Sequence, residues 1–495
     1  VWELAIDYID DTEGNVLGQI DGDERVSTSI LPNGLPAGGL FGFVAPQPVA
    51  FTSKGADYGN QVESINVASN LGFPVAGGDA EFIVGYRSME QKFLINFPQP
   101  PNDDFFWIDN DGQHDQLTAE LKWNAQFADG NVDFVGGVFI LDEDNETDFA
   151  DYLFGAFVLA DRVLDNTTQS WAIYGQADIG IGERGTLTIG ARYTDEEKEI
   201  GLSDNLPALG RAPEDQLTTA ALISAGVPTS QDEQIVTPRI AYAHDFRDGL
   251  MGYVSATRGF KSGGWNARGS APAAFQPFGP ETLWAYEAGI RGDFLNDTLR
   301  INATAFLTDL EDLQTTSATP SGAFLTTNAG GLDATGLEIE ATWVPSANWD
   351  VFFAAGFQNV EYTDLPSGCV TPNTDFAAFD INCNVADPKR SPDLTYTLGT
   401  TVSIPLASMG ATLQPTALMR YIGDNVVGTR QLGENDAEVI VNAGVALIDD
   451  DGQWRLTAEC NNCSDEEYTT SFLFTPYWTP PMTWSLRFRW NYGGR

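Results

Sequence analysis

One pattern recurs along the chain: stretches of about ten residues in which apolar and polar side chains alternate with a period of two. The last stretch is the clearest, because Trp484, Leu486 and Phe488 share one face whereas Arg487 and Arg489 share the other. A period of two predicts β-strands whose faces meet different surroundings. An aromatic face opposite a charged face predicts strands that lie between lipid and a water-filled lumen.

The same alternation appears in many upstream stretches, among them 117–124, 187–193, 284–291, 337–343, 394–399 and 439–445. No apolar run reaches the roughly 18 residues that a membrane-spanning helix needs. Lipid cannot hydrogen-bond free backbone groups, so strands that cross a membrane must close into a barrel. The sequence therefore predicts an all-β fold, a transmembrane antiparallel β-barrel with about 18 visible strands.

Short and long connections alternate between these strands, as they do in outer-membrane barrels. The predicted short turns are 73–78, 128–131, 180–185, 246–249, 294–298, 344–348, 406–410 and 449–452. The predicted long extracellular loops are 11–60, 92–115, 143–168, 200–235, 265–281, 312–332, 363–391, 423–436 and 463–482. We expect residues 1–495 to form one barrel domain with both ends of the chain on the short-turn, periplasmic side.

The chain is strongly acidic, with a formal net charge of -45 and a pI of about 4.1. A nucleic acid partner is therefore not expected, since phosphate binding needs a basic surface. Two interpretations of the acidity stay open. The first is adaptation to salty water, in which acidic loops remain hydrated. The second is attraction of cations by acidic groups at a pore mouth. The first interpretation is the simpler and is favoured.

The four cysteines fall into two local pairs, Cys369 with Cys383 and Cys460 with Cys463. An even count in local pairs predicts two disulfides and an oxidising compartment. A zinc site is the alternative. It is less favoured because a second C-x-x-C is missing and the chain has only 2 histidines. His114 and His244 are also too few and too scattered for a catalytic centre, so no enzyme activity is predicted.

Six motifs, in order along nearly the whole chain, resemble those of the TonB-dependent receptor family. They are Q-L-T-A-E-L at 116–121 before the strand 133–139, W-A-I-Y-G-Q at 171–176 with L-T-I-G-A-R-Y-T at 187–194, R-G-F-K-S-G-G-W-N at 258–266, P-E with Y-E-A-G at 280–289, G-L-E-I-E at 336–340 and N-C-S-D-E-E-Y at 462–468. One such string would be weak, but six in the family's order are a strong resemblance.

The resemblance implies a bacterial outer-membrane barrel of 22 strands filled by an N-terminal plug. The chain then corresponds to the C-terminal barrel portion, strands 5 to 22 in the family, with the plug and first strands outside the sequence. It implies energised uptake of a scarce nutrient such as a siderophore-iron complex, cobalamin or a glycan. The implied partners are lipid, the plug, the inner-membrane TonB complex and the nutrient. A plugless porin-like channel and a surface adhesion or structural barrel are the alternatives.

Ten charged residues are predicted to face the lumen: Glu120, Arg192, Arg239, Glu287, Arg291, Glu338, Glu340, Arg420, Arg487 and Arg489. In a plugged receptor they would hold the plug by ion pairs, and in an open pore they would set ion selectivity. The simpler alternative is that many are solvated residues of the inner wall.

Loop aromatics are the predicted ligand contacts, because loops carry the variable contacts of barrels. They are Phe106, Trp107, Trp265, Phe376, Tyr477 and Trp478. Packing of the loops against one another is the favoured alternative for these side chains. No cofactor is predicted. The acidic run 142–148 could hold a weak surface Ca²⁺ ion, although it lacks the glycine and spacing of a calcium-binding loop.

Overall fold

The computed structural model describes residues 1–13, 59–75, 77–99, 102–153, 157–205, 217–266, 269, 271–318, 324–363, 388, 390–427, 434–472 and 476–491. Strands dominate this part of the chain. The predicted loops 11–60 and 363–391, together with Cys369, Cys383 and Phe376, lie largely or wholly outside the described residues. No described helix is long and apolar enough to cross a membrane.

The strands, numbered in chain order, form one large antiparallel sheet and four small hairpins. The sheet contains β1 (Trp2–Glu13), β2 (Gly59–Val75), β3 (Gly78–Gln99), β4 (Asn102–Phe127), β5 (Val132–Leu153), β6 (Phe157–Ile181), β7 (Gly185–Asp204), β8 (Ser230–Arg247), β9 (Leu250–Lys261), β12 (Glu281–Phe294), β13 (Leu299–Glu311), β16 (Gly331–Ser346), β17 (Trp349–Thr363), β18 (Leu394–Val402), β19 (Ile404–Leu406), β20 (Ala411–Ile422), β23 (Glu438–Asp449), β24 (Trp454–Asn461) and β27 (Thr483–Trp490).

The hairpins lie within the long connections and pair β10 (Gly264–Trp265) with β11 (Pro277–Phe278), β14 (Gln314–Ala318) with β15 (Phe324–Asn328), β21 (Asn425–Val426) with β22 (Glu434–Asn435), and β25 (Thr469–Phe472) with β26 (Pro476–Trp478). The short helices are η1 (Ala128–Gly130), α1 (Thr219–Ser224) and η2 (Pro272–Phe275). The hairpins and α1 are not predictable from the sequence pattern, because such short elements carry too few residues for a periodic signal.

Each sheet strand pairs with its neighbours in chain order, from β1 to β27. The sheet has 19 segments, and β18 and β19 both pair with β20 as two pieces of one strand. The prediction of about 18 strands is therefore confirmed. Among the described pairings, β1 joins only β2, and β27 joins only β24. Eight short connections at one edge, called here the short-turn end, match the predicted short turns.

The outer face of the sheet carries a band of exposed apolar side chains. Ile140, Ile173, Ile240 and Val254 are each more than half exposed, at 53%, 53%, 52% and 54%. A water-soluble sheet would bury such residues, whereas a membrane barrel presents them to lipid. The period-two pattern places the residues that alternate with them, such as Tyr174 and Arg239, on the inner face.

The strands differ greatly in length around the sheet. Strands β3 to β7, called here the tall wall, contain 22, 26, 22, 25 and 20 residues. Strands β20, β23, β24 and β27, the short wall, contain 12, 12, 8 and 8. At about 3.4 Å per residue, the longest strand of the tall wall measures roughly 88 Å, and the shortest strands of the short wall measure roughly 27 Å. The tall wall thus rises far beyond the apolar band at the opposite, long-loop end.

Two predicted loop boundaries are wrong on the tall wall. Residues 92–115 and 143–168 are mostly strand, because β3 and β4 continue to within a few residues of each other, as do β5 and β6. The error has a physical cause. Above the apolar band the outward positions of β5 are Asp142, Asp144, Glu146 and Asp148 rather than aliphatic residues. With polar residues on both faces, alternation disappears although the strand continues.

Candidate functional site

The lumen-facing wall contains a depression of about 580 Å³ near the short-turn end, between β8 and β16. It brings together four predicted luminal charges, which are Glu287, Arg291, Glu338 and Glu340. The pairing register explains this. Glu338 lies opposite Thr304 on β13, and Asn302 lies between Glu340 on one side and Arg291 on the other.

This depression is acidic overall. Its lining contains five carboxylates, from Asp245, Glu287, Asp293, Glu338 and Glu340. Its two guanidinium groups are already engaged: Arg300 Nε donates to Asp293 Oδ1 at 2.7 Å, and Arg291 lies 5.4 Å from the centre of the Tyr253 ring. The Tyr253 hydroxyl in turn lies 3.0 Å from Thr304 Oγ1. The surface is therefore suited to a cationic partner.

A second luminal cluster lies on the tall wall. Tyr174 Oη donates to Glu120 Oε1 at 2.5 Å. The Arg192 guanidinium lies 5.2 Å from the ring centre of Phe139 and 5.7 Å from that of Tyr174. Two rings therefore hold this cation by cation–π contacts. Arg239 is a diagonal neighbour on β8, since it pairs with Gly190 whereas Arg192 pairs with Thr237.

The remaining predicted luminal charges do not join either cluster. Arg420 lies on β20, and Arg487 and Arg489 lie on β27 at the other side of the sheet. The ten predicted residues therefore line one face without forming a single site.

The long-loop end of the tall wall holds a small hydrophobic core that was not predicted from the sequence. It joins the inner faces of β5, β6 and β7 to α1 and η2, and its buried members are Phe149, Ala160, Leu164, Ile200, Leu202, Leu217, Leu222, Val227 and Phe275. These residues are far apart in sequence, so no local pattern reveals their contact. We call this the mouth core.

A buried cation lies within the mouth core. Arg162 is only 3% exposed, and its Nη1 donates to the Gly269 carbonyl at 2.7 Å. Its guanidinium also lies 5.6 Å from the Phe149 ring centre and 5.4 Å from that of Phe275. The strand β6 is thereby tied to the connection between β9 and β12.

The R-G-F-K-S-G-G-W-N motif forms part of the same structure. Asn266 Nδ2 donates to the carbonyls of Gln276 and Thr326, and Asn266 Oδ1 accepts from the Thr326 amide. The Trp265 indole donates to the Pro228 carbonyl at 2.8 Å and packs on the mouth core. These motif residues hold neighbouring connections together at the mouth.

The predicted loop aromatics fall into different environments. Phe106 and Trp107 are buried, at 8% and 2% exposure, and Trp107 packs with Leu94, Ala150 and Tyr152. Because these two side chains are buried in β4, they do not offer the predicted surface for a ligand. They stabilise the tall wall by packing, which was the favoured alternative. Trp478 is 49% exposed and available to a ligand. The side chain of Tyr477 lies outside the described part.

Near the mouth of the short wall, Cys460 and Cys463 form the predicted local disulfide, where β24 ends. The following segment is tightly hydrogen-bonded, since Asn462 Nδ2 donates to the carbonyls of Glu466 and Pro480. Burial, and then the nearby Glu438 carboxylate, raise the pKa of Tyr468 in this segment.

The outer face of the tall wall is acidic above the apolar band. Asp115 lies directly opposite Asp144, and Asp111 opposite Asp148. Lys92 lies on the same face, and its Nζ is 2.9 Å from Asp111 Oδ2. That contact raises the pKa of Lys92. No described group of three or more His, Cys, Asp or Glu side chains is arranged to hold a metal ion. A weak Ca²⁺ site at 142–148 stays a prediction.

Comparisons with known proteins agree on one family. A family model described as "TonB dependent receptor-like, beta-barrel" matches residues 6–463. A pesticin receptor of Yersinia enterocolitica is 33% identical over 124 residues, which are 25% of this chain and 18% of the relative.

Solved structures give the same fold. The ferric yersiniabactin uptake receptor FyuA from Yersinia pestis matches with a TM-score of 0.68 at 15% identity, over 87% of this chain and 61% of that one. The pyoverdine receptor FpvA from Pseudomonas aeruginosa, bound to pyoverdine, matches with a TM-score of 0.62 at 15% identity, over 88% and 62%. The chain thus spans about three fifths of these receptors.

Proposed function

The chain belongs to the TonB-dependent receptor β-barrel family, and from this premise we propose that it is the wall of an energised importer for a ferric siderophore. The family places it in the outer membrane of a Gram-negative bacterium, as a receptor and not an enzyme. In the proposal the long-loop end is extracellular and captures the nutrient. The plug lies inside the barrel, and the inner-membrane TonB complex supplies the energy.

The iron chelate is favoured over cobalamin or a glycan because of the structural relatives. One neighbour is named as a ferric yersiniabactin uptake receptor, another as a ferric-catecholate import receptor and a third as a siderophore receptor. A copper transporter is also among them, so the fold alone does not decide the cargo. The identity of the siderophore is left open.

In the proposed mechanism, the acidic depression is the surface on which the plug binds. Its carboxylates from Glu287, Glu338 and Glu340 face the lumen with no lysine or third arginine in the lining to neutralise them. A plug segment bearing basic side chains would neutralise these carboxylates by ion pairing, and such complementary charge would fix the position of the segment on the wall. Energy input would then separate this contact and open a path for the cargo.

A growth and uptake screen tests the proposal. A strain lacking the natural full-length gene is grown on limiting iron, cobalamin or glycans, and the gene is then restored. We expect restoration to rescue uptake of a ferric siderophore. We expect the triple variant Glu287→Gln, Glu338→Gln and Glu340→Gln to lower the uptake rate about tenfold, the effect of one lost charged contact.

Asp129→Asn, in the exposed turn η1, is the matched control for removing a carboxylate and should leave uptake unchanged. Rescue on cobalamin or a glycan alone would contradict the iron chelate as cargo. Normal uptake by a correctly assembled triple variant would contradict the role of the depression.

A further inference from the structure

Two neighbouring turns at the short-turn end are the only basic ones. In the eight predicted short turns, Arg184 and Arg247 are the only lysine or arginine residues. Both turns join strands that are paired on both sides within the sheet. The Asp245 amide donates to the Arg184 carbonyl at 2.8 Å, and Arg184 Nη1 donates to the Phe246 carbonyl at 2.9 Å. The two arginines therefore belong to one place on the rim of the barrel.

An irregularity in β8 directs side chains near these turns to the outer face. The pairing of β8 with β9 shifts between Asp245 and Arg247, so that Phe246 is an extra residue in β8. Such a bulge bends the strand and re-aims side chains, and it is common at the rims of barrels. Phe246 is 57% exposed, and a Cβ on Gly252 would lie 2.8 Å from Phe246 Cε2. The ring thus covers the outer side of Gly252, two residues from Val254 in the apolar band.

Three rings lie side by side between the apolar band and the turns. The ring centres of Tyr242 and His244 are 6.2 Å apart, and those of His244 and Phe246 are 5.2 Å apart. The Tyr242 hydroxyl also lies 3.2 Å from His244 Nδ1. Aromatic side chains with a polar edge are typical of the boundary between lipid and water. On β6 the exposed apolar positions continue to Ile181, so lipid reaches the start of the turn that contains Arg184.

Both guanidinium groups lie at this boundary and are oriented without being neutralised. Arg184 and Arg247 are exposed, and Arg247 Nη1 donates to the Asp248 carbonyl at 3.2 Å. The Arg247 guanidinium lies 5.9 Å from the ring centre of Phe294. Carbonyls and rings orient a guanidinium and leave its full charge. The same turns contain the exposed residues Glu183 and Asp248, so binding here depends on the placement of the guanidinium groups beside lipid and not on net charge.

The two ends of the outer face differ in charge. At the long-loop end, the outward positions of β5 beyond the apolar band are carboxylates, from Asp142 to Asp148. They would repel an anionic headgroup. The short turns of outer-membrane barrels face the periplasm. Lipid beside Arg184 and Arg247 therefore belongs to the periplasmic leaflet.

We propose that Arg184, Arg247 and the rings beside them bind the headgroup of an anionic phospholipid in the periplasmic leaflet. Guanidinium forks bind a phosphate group through paired, charge-assisted hydrogen bonds. The acyl chains lie along the exposed apolar side chains of Ile240 and Val254. The inference rests on the family and on the orientation of the barrel, and it is independent of the cargo proposed above.

Phosphatidylglycerol, which is anionic, and phosphatidylcholine, which is zwitterionic, are the probes. Native mass spectrometry of the purified full-length natural protein in detergent measures the affinity for the first bound lipid of each kind. We expect tighter binding of phosphatidylglycerol. Arg184→Gln with Arg247→Gln should weaken it about tenfold, the effect of two basic residues at an anionic lipid surface. Phosphatidylcholine binding should change less than about twofold.

Lys122→Gln with Arg455→Gln is the matched control. It removes the same charge from the inner face, since these residues alternate with the exposed residues Leu121 and Leu456. It should leave the affinity for phosphatidylglycerol within about twofold, because distant charges are screened. Equal weakening by both double variants would overturn the site, since net charge alone would then explain binding.

Three further results would also overturn the site. One is equal affinity of the unaltered protein for the two lipids. Another is displacement of phosphatidylglycerol by inorganic phosphate, which would indicate a site for a free oxyanion. The third comes from Arg184→Lys with Arg247→Lys, which keeps the charge but loses the forks and also serves if the glutamine variant assembles poorly. We expect this variant to bind phosphatidylglycerol more weakly than the unaltered protein does, and unchanged affinity would contradict the paired hydrogen bonds.

Discussion

The tall wall and the short wall differ in height, in outer surface and in how their buried charges are paired. On the tall wall, Arg162 is 3% exposed and engages a carbonyl and two rings. On the short wall, Glu438 is also 3% exposed, but neither of its carboxylate oxygens has a hydrogen-bond partner in the described structure. Satisfied and unsatisfied buried charges have opposite effects on stability.

The comparison indicates that the two walls of the sheet have different structural roles. The tall wall builds a packed, acidic structure beyond the membrane, where the mouth core fixes the connections. The short wall stays close to the membrane, and Arg487 and Arg489 lie on its inner face. The variants below test this difference, beginning with the largest expected effect.

Replacing Arg162 with alanine should loosen the mouth core. The variant loses a hydrogen bond from a charged group and two cation–π contacts, together roughly 3–5 kcal/mol of local stability. Hydrogen exchange of the amides in 217–227 should accelerate by at least tenfold. Arg247→Ala is the control, because Arg247 lies over Phe294 at 5.9 Å but at the short-turn end. Unchanged exchange in Arg162→Ala would mean that the cation does not hold the mouth.

Arginine substitutions along β5 should locate the membrane boundary on the tall wall. Ile140 and Asp144 both point outward, but only Ile140 lies in the apolar band. Ile140→Arg should therefore reduce the free energy of unfolding by about 2–4 kcal/mol, whereas Asp144→Arg should not. Denaturant titration in lipid vesicles measures both. Equal losses at the two positions would place Asp144 in the membrane as well.

Replacing Glu438 with methionine should stabilise the protein, in contrast to Arg162→Ala. An unpartnered buried carboxylate costs about 1–3 kcal/mol, and methionine of similar length avoids that cost. The same titration should show a higher free energy of unfolding. Glu183→Met, at an exposed position in the turn between β6 and β7, controls for the loss of one negative charge. A destabilised Glu438→Met variant would show that this carboxylate has a partner in the intact protein.

The smallest effect concerns the outer surface of the tall wall. Asp111 raises the pKa of Lys92, so the ion pair contributes stability at pH values below the ordinary lysine pKa of about 10.4. This contribution is lost as the pH rises through the raised pKa. Because both side chains are exposed, we expect only a few tenths of a kcal/mol, roughly. Lys92→Gln should remove that part of the alkaline loss, and an unchanged pH profile would contradict the pair.

Much of the barrel is predictable from the sequence. Wherever lipid lies on one side, alternation identifies both the strand and its inner face, as for Arg487 and Glu338. Beyond the lipid the outward positions become acidic, and the signal disappears although β5 continues. The mouth core is less predictable still, because Phe149 and Phe275 meet only after the intervening strands have paired. Trp107 illustrates the same limit, since burial depends on contacts distant in sequence.

The central claim is that the barrel belongs to an energised importer and not to a passive pore. The most direct test is uptake of a labelled ferric siderophore by cells that carry the natural full-length protein, with and without a protonophore that collapses the inner-membrane gradient. Our account predicts saturable uptake that falls to background when the gradient collapses. Uptake that persists without the gradient and rises linearly with concentration would contradict it.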